Sequence, residues 1–69
     1  MSVTVKLNVP NISCNHCVMT IQRETAGLPG VEQVKADAAT KTATFVLEND
    51  AALPRVRETL VEIGYPAAN

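Results

Sequence analysis

The chain begins with an alternation of apolar and polar residues that predicts a half-buried β-strand. In residues 3–9, VTVKLNV, apolar side chains occupy every second position and polar ones lie between them. Because successive side chains of a strand point to opposite faces, this pattern gives one apolar face and one polar face. Pro10 and Asn11 favour a turn, so the strand is predicted to end before them.

Two later segments repeat at steps of three and four, which is the spacing of one face of an α-helix. These faces consist of Val18, Ile21, Thr25 and Leu28 in the first segment and of Leu53, Val56, Leu60 and Ile63 in the second. Ser13 and Asn15 are both suitable N-caps for the first helix, and Asp50 is a suitable N-cap for the second. A glycine near the end of each segment predicts where each helix ends.

Between the two helical segments, residues 31–38 and 41–48 alternate like two further strands. The predicted inward faces consist of Val34, Ala36 and Ala38 in one strand and of Ala43, Phe45 and Leu47 in the other. The link around Ala39 and Thr40 is short, so the two strands are expected to form a hairpin. The last five residues, YPAAN, predict a short final strand or an extended tail, with Pro66 suited to a sheet edge.

The predicted order is strand–helix–strand followed by a second strand–helix–strand. Each half is a crossover unit, and such units are right-handed. Two halves of this kind interleave into one four-stranded antiparallel sheet with both helices on one face. The alternation agrees, since each strand has only one apolar face to cover. The sequence therefore predicts an α+β, ferredoxin-like βαββαβ sandwich that forms a single domain over residues 1–69.

Composition narrows the classes of function. The 69 residues are 46% hydrophobic and carry a net charge of −1, which argues against disorder and against a nucleic-acid binder. No apolar run approaches the roughly 20 residues of a membrane-spanning helix, so no membrane insertion is expected. No signal-peptide pattern precedes the first strand. The expected location is the cytoplasm, where thiols stay reduced.

The chemistry of the chain is concentrated in residues 14–17, CNHC, which contain both cysteines and the only histidine. The predicted elements put Cys14 in the loop after the first strand and Cys17 in the first turn of the first helix. This spacing lets the two sulfurs converge, and the positive end of a helix stabilises a thiolate. The pair is therefore a candidate metal site, with Cys14 and Cys17 as its ligands.

The number of candidate ligands limits the metal. Soft thiolates favour Cu(I), zinc and iron–sulfur clusters. A structural zinc site takes four protein ligands, usually cysteine and histidine, and an iron–sulfur cluster takes about four cysteines, whereas this chain has two cysteines and one histidine. Val18 follows the second cysteine where a c-type haem site needs histidine. Cu(I) suits two thiolates best. A thioredoxin-type dithiol and a pair of incidental core cysteines are the competing interpretations.

These residues resemble the heavy-metal-associated domain family, in particular its small bacterial copper chaperones. The family pattern is Gly-Met-Thr-Cys-x-x-Cys, and this chain has Asn11, Ile12, Ser13, Cys14, Asn15, His16 and Cys17. Further similarity lies in the first strand, in LPGV at 28–31, in VKADA at 34–38 and in IGY at 63–65. The resemblance implies that both cysteines bind metal and that Ile12 packs under the loop as the family methionine does.

Three residues near the cysteines have two readings each. His16 is either an exposed side chain, which we favour, or a third or outer-shell ligand of the metal. Tyr65 matches a family position whose ring lies near the metal loop, but it also suits the edge of the core. Met19 is expected at the rim of the first helix, where it would contact a partner rather than bind metal.

The resemblance also implies a function. It predicts a Cu(I) chaperone that transfers its ion by thiolate exchange to an acceptor such as a metal-transporting P-type ATPase. It would be a monomer without metal, and a metal-bridged dimer is a further option. The alternatives are an isolated metal-binding domain of such an ATPase, a binder of Zn(II) or Hg(II), and, outside this class, a dithiol redox protein. No nucleophile–base arrangement is present, so no enzyme is predicted.

Overall fold

The computed structural model describes residues 2–68, which form three strands, two α-helices and one 3₁₀ turn. The elements are β1 Val3–Asn8, α1 Asn15–Ala26, β2 Val31–Asp37, β3 Thr42–Leu47, the 3₁₀ turn Asp50–Ala52 and α2 Leu53–Glu62. The two helices and the first three strands of the prediction are confirmed, and each of these strands is one or two residues shorter than predicted. No helix in the described range is both long and apolar enough to cross a membrane.

The sheet is antiparallel, with β3 in the middle and β1 and β2 at its sides. Phe45 of β3 pairs with Val5 on one side and with Val34 on the other. Because these three residues were predicted on inward faces of their strands, the register confirms the sequence-based assignment of faces. Phe45 itself is completely buried.

The predicted fourth strand is wrong for the residues that the structure describes, which contain a sheet of three strands. Residues 65–68 are not part of the sheet, although the backbone N–H of Ala68 donates to the carbonyl of Asn8 at 2.7 Å. Pro66 has no N–H to donate to a neighbouring strand, which interrupts the hydrogen-bonding pattern of a strand at this position. Asn69, the last residue of the predicted strand, lies outside the described residues.

The core lies between the sheet and the two helices. Its buried hydrophobic members are Leu7, Val9, Ile12, Cys17, Ile21, Ala36, Ala43, Phe45, Leu47, Ala52, Val56 and Leu60. The set includes residues of every strand and both helices, so a single core holds all the elements together. It also includes Ile12 and Cys17. The loop between β1 and α1, residues 9–14, which we call the cysteine loop, is therefore packed against the core at Ile12, and the first turn of α1 is packed against it at Cys17.

The N-caps of α1 and of the 3₁₀ turn before α2 each lie one residue from a predicted cap. The N-cap of α1 is Cys14 rather than Ser13 or Asn15. The N-cap before the 3₁₀ turn that leads into α2 is Asn49 rather than Asp50, and the Asn49 side chain accepts a hydrogen bond from Ala51 N–H at 2.9 Å. Both Cys14 and Asn49 have the extended backbone angles that are typical of an N-cap.

Candidate metal centre

The two cysteines lie at the start of α1. Cys14 is its N-cap and is exposed, whereas Cys17, in the first turn, is buried with 7% of its surface accessible. Both are free thiols, and their Sγ atoms are 3.9 Å apart. A disulfide needs about 2.05 Å, so the sulfurs are unbonded but close enough to reach a common ion.

The loop that leads to Cys14 is anchored at its base. Val9 N–H donates to the carbonyl of Lys41 at 2.8 Å, and Ile12 N–H donates back to Val9 at 3.1 Å, which closes a tight turn. The Ile12 side chain is completely buried. The packing role that the family resemblance gave to Ile12 is therefore present, and the exposed Cys14 follows a fixed base by two residues.

Cys17 has polar neighbours that favour its thiolate. The Tyr65 hydroxyl donates a hydrogen bond to Cys17 Sγ at 3.0 Å, and Ser13 Oγ lies 3.8 Å from the same sulfur. The Tyr65 hydrogen bond is the largest cause that lowers the pKa of Cys17 from 9.0 to about 6, and Ser13 and the Cys14 backbone add to it against the opposing effect of burial. The sequence indicated a thiolate from the helix start alone, and the structure adds the phenol as the main cause.

Tyr65 reaches Cys17 because of how α2 ends. Gly64 has a φ of 88°, a left-handed conformation that favours glycine. Tyr65 N–H donates to the Leu60 carbonyl at 2.8 Å and Gly64 N–H to the Val61 carbonyl at 3.1 Å, which is the Schellman arrangement. The chain thus turns back toward α1 and carries the ring to the cysteines. The same hydrogen bond to Cys17 raises the pKa of Tyr65.

His16 and Met19 do not join the sulfurs. His16 is exposed in the first turn of α1, and its backbone carbonyl accepts a hydrogen bond from Thr20 Oγ1 at 2.8 Å. Met19 is 64% exposed on the same helix. Residues 2–68 contain no group of three or more His, Cys, Asp or Glu side chains that could hold a metal. The structure therefore brings together Cys14, Cys17 and Tyr65 and leaves His16 outside.

Comparison with known proteins identifies the class. The profile of the heavy-metal-associated domain matches residues 6–66, and the chain belongs to this family. It is 30% identical to the COP-associated protein of Helicobacter pylori (strain J99), with 87% of this chain and 91% of the relative covered. It is 35% identical to heavy metal-associated isoprenylated plant protein 31 of Arabidopsis thaliana over 83% of this chain, but it spans only 43% of that relative.

Solved structures agree with the fold. A Bacillus anthracis protein to which copper-ion binding has been attributed shares 29% identity and a TM-score of 0.88, with 97% of this chain and 96% of that chain covered. The N-terminal domain of ZntA in its Zn(II) form shares 25% identity and a TM-score of 0.85, with 93% and 86% covered. The family binds soft metals such as Cu(I) and Zn(II). The site formed by Cys14, Cys17 and Tyr65 is thus the candidate metal centre of a metal-handling domain.

Proposed function

We propose that this protein is a Cu(I) chaperone that binds one ion between Cys14 and Cys17. The observation that carries the proposal is the pair of free sulfurs 3.9 Å apart at the start of α1. Two metal–sulfur bonds of about 2.3 Å, the length that zinc makes, together span up to ~4.6 Å. The pair therefore suits one ion without a change of the backbone. Cys17, whose pKa is about 6, supplies one ligand that is already ionised at neutral pH.

Copper suits this donor set better than zinc does. Soft thiolates bind both ions, but zinc in proteins takes four ligands, or three with water. The described residues offer no third His, Cys, Asp or Glu beside the sulfurs. The similarity to the Zn(II) form of the ZntA domain keeps Zn(II), and with it Hg(II), as the alternative cargo. A second protein molecule would then supply the missing ligands.

The unequal exposure of the two thiols supports an order in which they release the metal ion. Cys14 is exposed and Cys17 is buried, so an incoming thiolate meets the ion on the Cys14 side. The acceptor's sulfur forms a bond to the ion as Cys14 releases it, and Cys17 leaves last. The acceptor that we propose is an exposed cysteine pair on a metal-transporting P-type ATPase or a similar protein. We place this exchange in the cytoplasm and assign no enzymatic reaction.

A Cu(I) competition against a chromophoric chelator tests the ligand assignment. Replacing Cys17 by serine should lower Cu(I) affinity by several orders of magnitude, because a hydroxyl is a poor ligand for a soft ion. Cys14→Ser should do the same. Met19→Leu is the matched control, since it removes the sulfur of an exposed residue on the same helix and should leave the affinity unchanged. Wild-type affinity in Cys17→Ser would refute the assignment.

The cargo itself is tested by native mass spectrometry of the reduced protein with Cu(I) and Zn(II) offered together. One Cu(I) per chain is the expected species. Preferred uptake of Zn(II) would mean that the protein is a Zn(II) carrier instead.

A dithiol redox protein, the alternative class of function, would also have the two close sulfurs and the ionised Cys17. It predicts rapid disulfide exchange with a thioredoxin-type substrate and no metal retained, and that result would overturn the chaperone function.

A further inference from the structure

Asn11 makes a hydrogen bond that links the cysteine loop to the end of α2. Its Nδ2 atom donates to the carbonyl of Gly64 at 3.1 Å, across 53 residues of sequence. Asparagine is common where the backbone is left-handed, but in residues 2–68 Lys41 is the only residue other than glycine with a positive φ. The backbone at position 11 therefore has no need of asparagine. What this residue supplies is its side-chain amide.

The hydrogen bond acts on the peptide group that carries Tyr65. The carbonyl of that group belongs to Gly64 and accepts from Asn11, and its N–H belongs to Tyr65 and donates to Leu60 at 2.8 Å. The peptide plane is thus held from both sides. The plane fixes the positions of Tyr65 N and Cα, so only the φ angle of Tyr65 and its side-chain torsions remain to direct its hydroxyl to Cys17 Sγ.

We propose that Asn11 is a positioning residue that holds the Tyr65 phenol on Cys17. It lies three residues before Cys14, so it joins the loop of the exposed ligand to the segment that covers the buried one. The two parts of the centre then move together rather than separately. This assignment concerns a position where the family pattern has glycine, and glycine has no side chain to make the contact.

The consequence for metal exchange rests on the proposed function. While the phenol stays on Cys17, an incoming ligand has access to the ion only from the Cys14 side. Without the Asn11–Gly64 hydrogen bond the ring is less firmly placed, and the buried sulfur becomes a second point of attack. One hydrogen bond contributes roughly 0.5–1.5 kcal/mol, which corresponds to a factor of about 2 to 12. We therefore expect Cu(I) transfer to a small chelator to accelerate by up to about tenfold in Asn11→Ala.

The first test uses the metal-free, reduced protein and measures amide hydrogen exchange. In Asn11→Ala, and in Asn11→Gly, the Tyr65 amide should lose protection by up to about tenfold. The Glu48 amide, which donates to Gly30 elsewhere in the fold, should keep its protection. Asn15→Ala is the matched control, because it removes an exposed asparagine beside the same cysteines. Unchanged protection of Tyr65, or an equal loss throughout the protein, would overturn the proposal.

The second test is a double-mutant cycle on the rate of Cu(I) transfer to a chelator. Asn11→Ala should accelerate transfer when Tyr65 is present and should have a much smaller effect in the Tyr65→Phe background, where the ring has no hydroxyl to hold it on Cys17. Circular dichroism melts confirm that each variant is folded before it is used. An equal acceleration in both backgrounds would mean that Asn11 acts on the loop alone, and the positioning role would be rejected.

The two tests separate this proposal from the proposed function. Should the cysteines prove not to bind Cu(I), the proposed function fails, while a selective loss of Tyr65 protection in the metal-free Asn11 variants still supports the positioning role. Should Cu(I) bind through both cysteines while Tyr65 protection and the cycle show no coupling, the metal assignment stands and the role of Asn11 is refuted.

Discussion

The start of α1 and the start of the 3₁₀ turn that leads into α2 have nearly the same backbone and different side chains. Cys14, before α1, has φ −159° and ψ 176°, and Asn49, before the turn into α2, has φ −163° and ψ 175°. Asn49 accepts a hydrogen bond from the first-turn N–H of Ala51. Cys14 makes no side-chain cap hydrogen bond at all. The α1 start therefore has the geometry of a capped helix but lacks the oxygen that would complete the cap.

At Asn49 the side chain stabilises the helix start, whereas at Cys14 the side-chain sulfur is left free to bind a ligand. A side-chain cap contributes about 1 kcal/mol, and α1 does without it. A sulfur at that position is a poor acceptor for the backbone but a good ligand for a soft ion. The fold tolerates the loss because the common core, rather than the caps, holds both helices in place. Each prediction below tests one part of this comparison.

The largest expected effect comes from the core that both helices share. Phe45→Ala should lower the free energy of unfolding by about 3–5 kcal/mol, because it removes a completely buried ring from the centre of the sheet. Chemical denaturation of the metal-free, reduced protein measures this. Lys35→Ala, at an exposed position on β2, is the control and should change stability by less than about 0.5 kcal/mol. If Phe45→Ala cost no more than the loss of one cap, the core would not be what holds the helices.

The next effect is at the capped start. Asn49→Ala removes the acceptor for the Ala51 N–H, so it should destabilise the protein by about 1 kcal/mol. The same denaturation experiment measures it, and Asn49→Asp, which keeps an acceptor oxygen, is the control. Cu(I) affinity should not change in either variant, since Asn49 lies outside the cysteine loop. A neutral Asn49→Ala would show that the two helix starts do not differ energetically.

A smaller effect is expected at Cys14, the N-cap without a side-chain hydrogen bond. There, serine should be a better helix cap than alanine but should bind Cu(I) no better. Cys14→Ser places an oxygen in a backbone conformation suited to an N-cap, whereas Cys14→Ala does not. The serine variant should be more stable than the alanine variant by about 0.5–1 kcal/mol, and both should lose Cu(I) binding. Equal stability of the two would mean that the extended angles of Cys14 are not sufficient for a cap.

The last prediction concerns pH, where the trend is gradual. The folded protein holds the pKa of Cys17 near 6, against 9.0 ordinarily, so between these values the unfolded chain binds more protons. The stabilisation is therefore complete above about pH 9, falls as the pH falls, and is lost below about pH 6. Denaturation of the metal-free protein across this range measures it. Tyr65→Phe removes the largest cause and should flatten the trend; an unaltered trend would assign the shift to the helix start instead.

Local patterns were sufficient to predict most of the fold. Alternation identified the faces of three strands, and the three-and-four spacing identified both helices, because burial of one face is a property of neighbouring residues. The fourth strand was wrong because pairing depends on a partner edge and on Pro66, and neither is visible in the apolar pattern. The N-caps were misplaced by one residue because side-chain type alone does not show where the helical backbone begins: Asn15 and Asp50 are already the first residues of their helical elements.

The candidate site was predictable only in part. The spacing of Cys14 and Cys17 fixed the pair, since residues three apart at a helix start lie close together. The hydrogen bond from Tyr65 was not predictable, because it depends on the left-handed Gly64 and on a turn of the chain that no local spacing encodes. The contact of Asn11 was not predictable for the same reason. Its sequence neighbours indicate only a turn, and the fold is needed to show that its side-chain amide reaches the end of α2.

The distance along the chain between Cys17 and Tyr65 has a consequence for biosynthesis. The two residues are 48 positions apart, so a ribosome completes the cysteine pair well before it adds the tyrosine. At roughly 5–20 residues per second, that interval lasts about 2–10 s. During it the nascent thiols have no phenol to hydrogen-bond with and no finished core to bury Cys17. When the cysteines leave the ribosome before Tyr65 has folded back onto them, the difference in exposure and in thiol acidity between Cys14 and Cys17 is therefore not yet established.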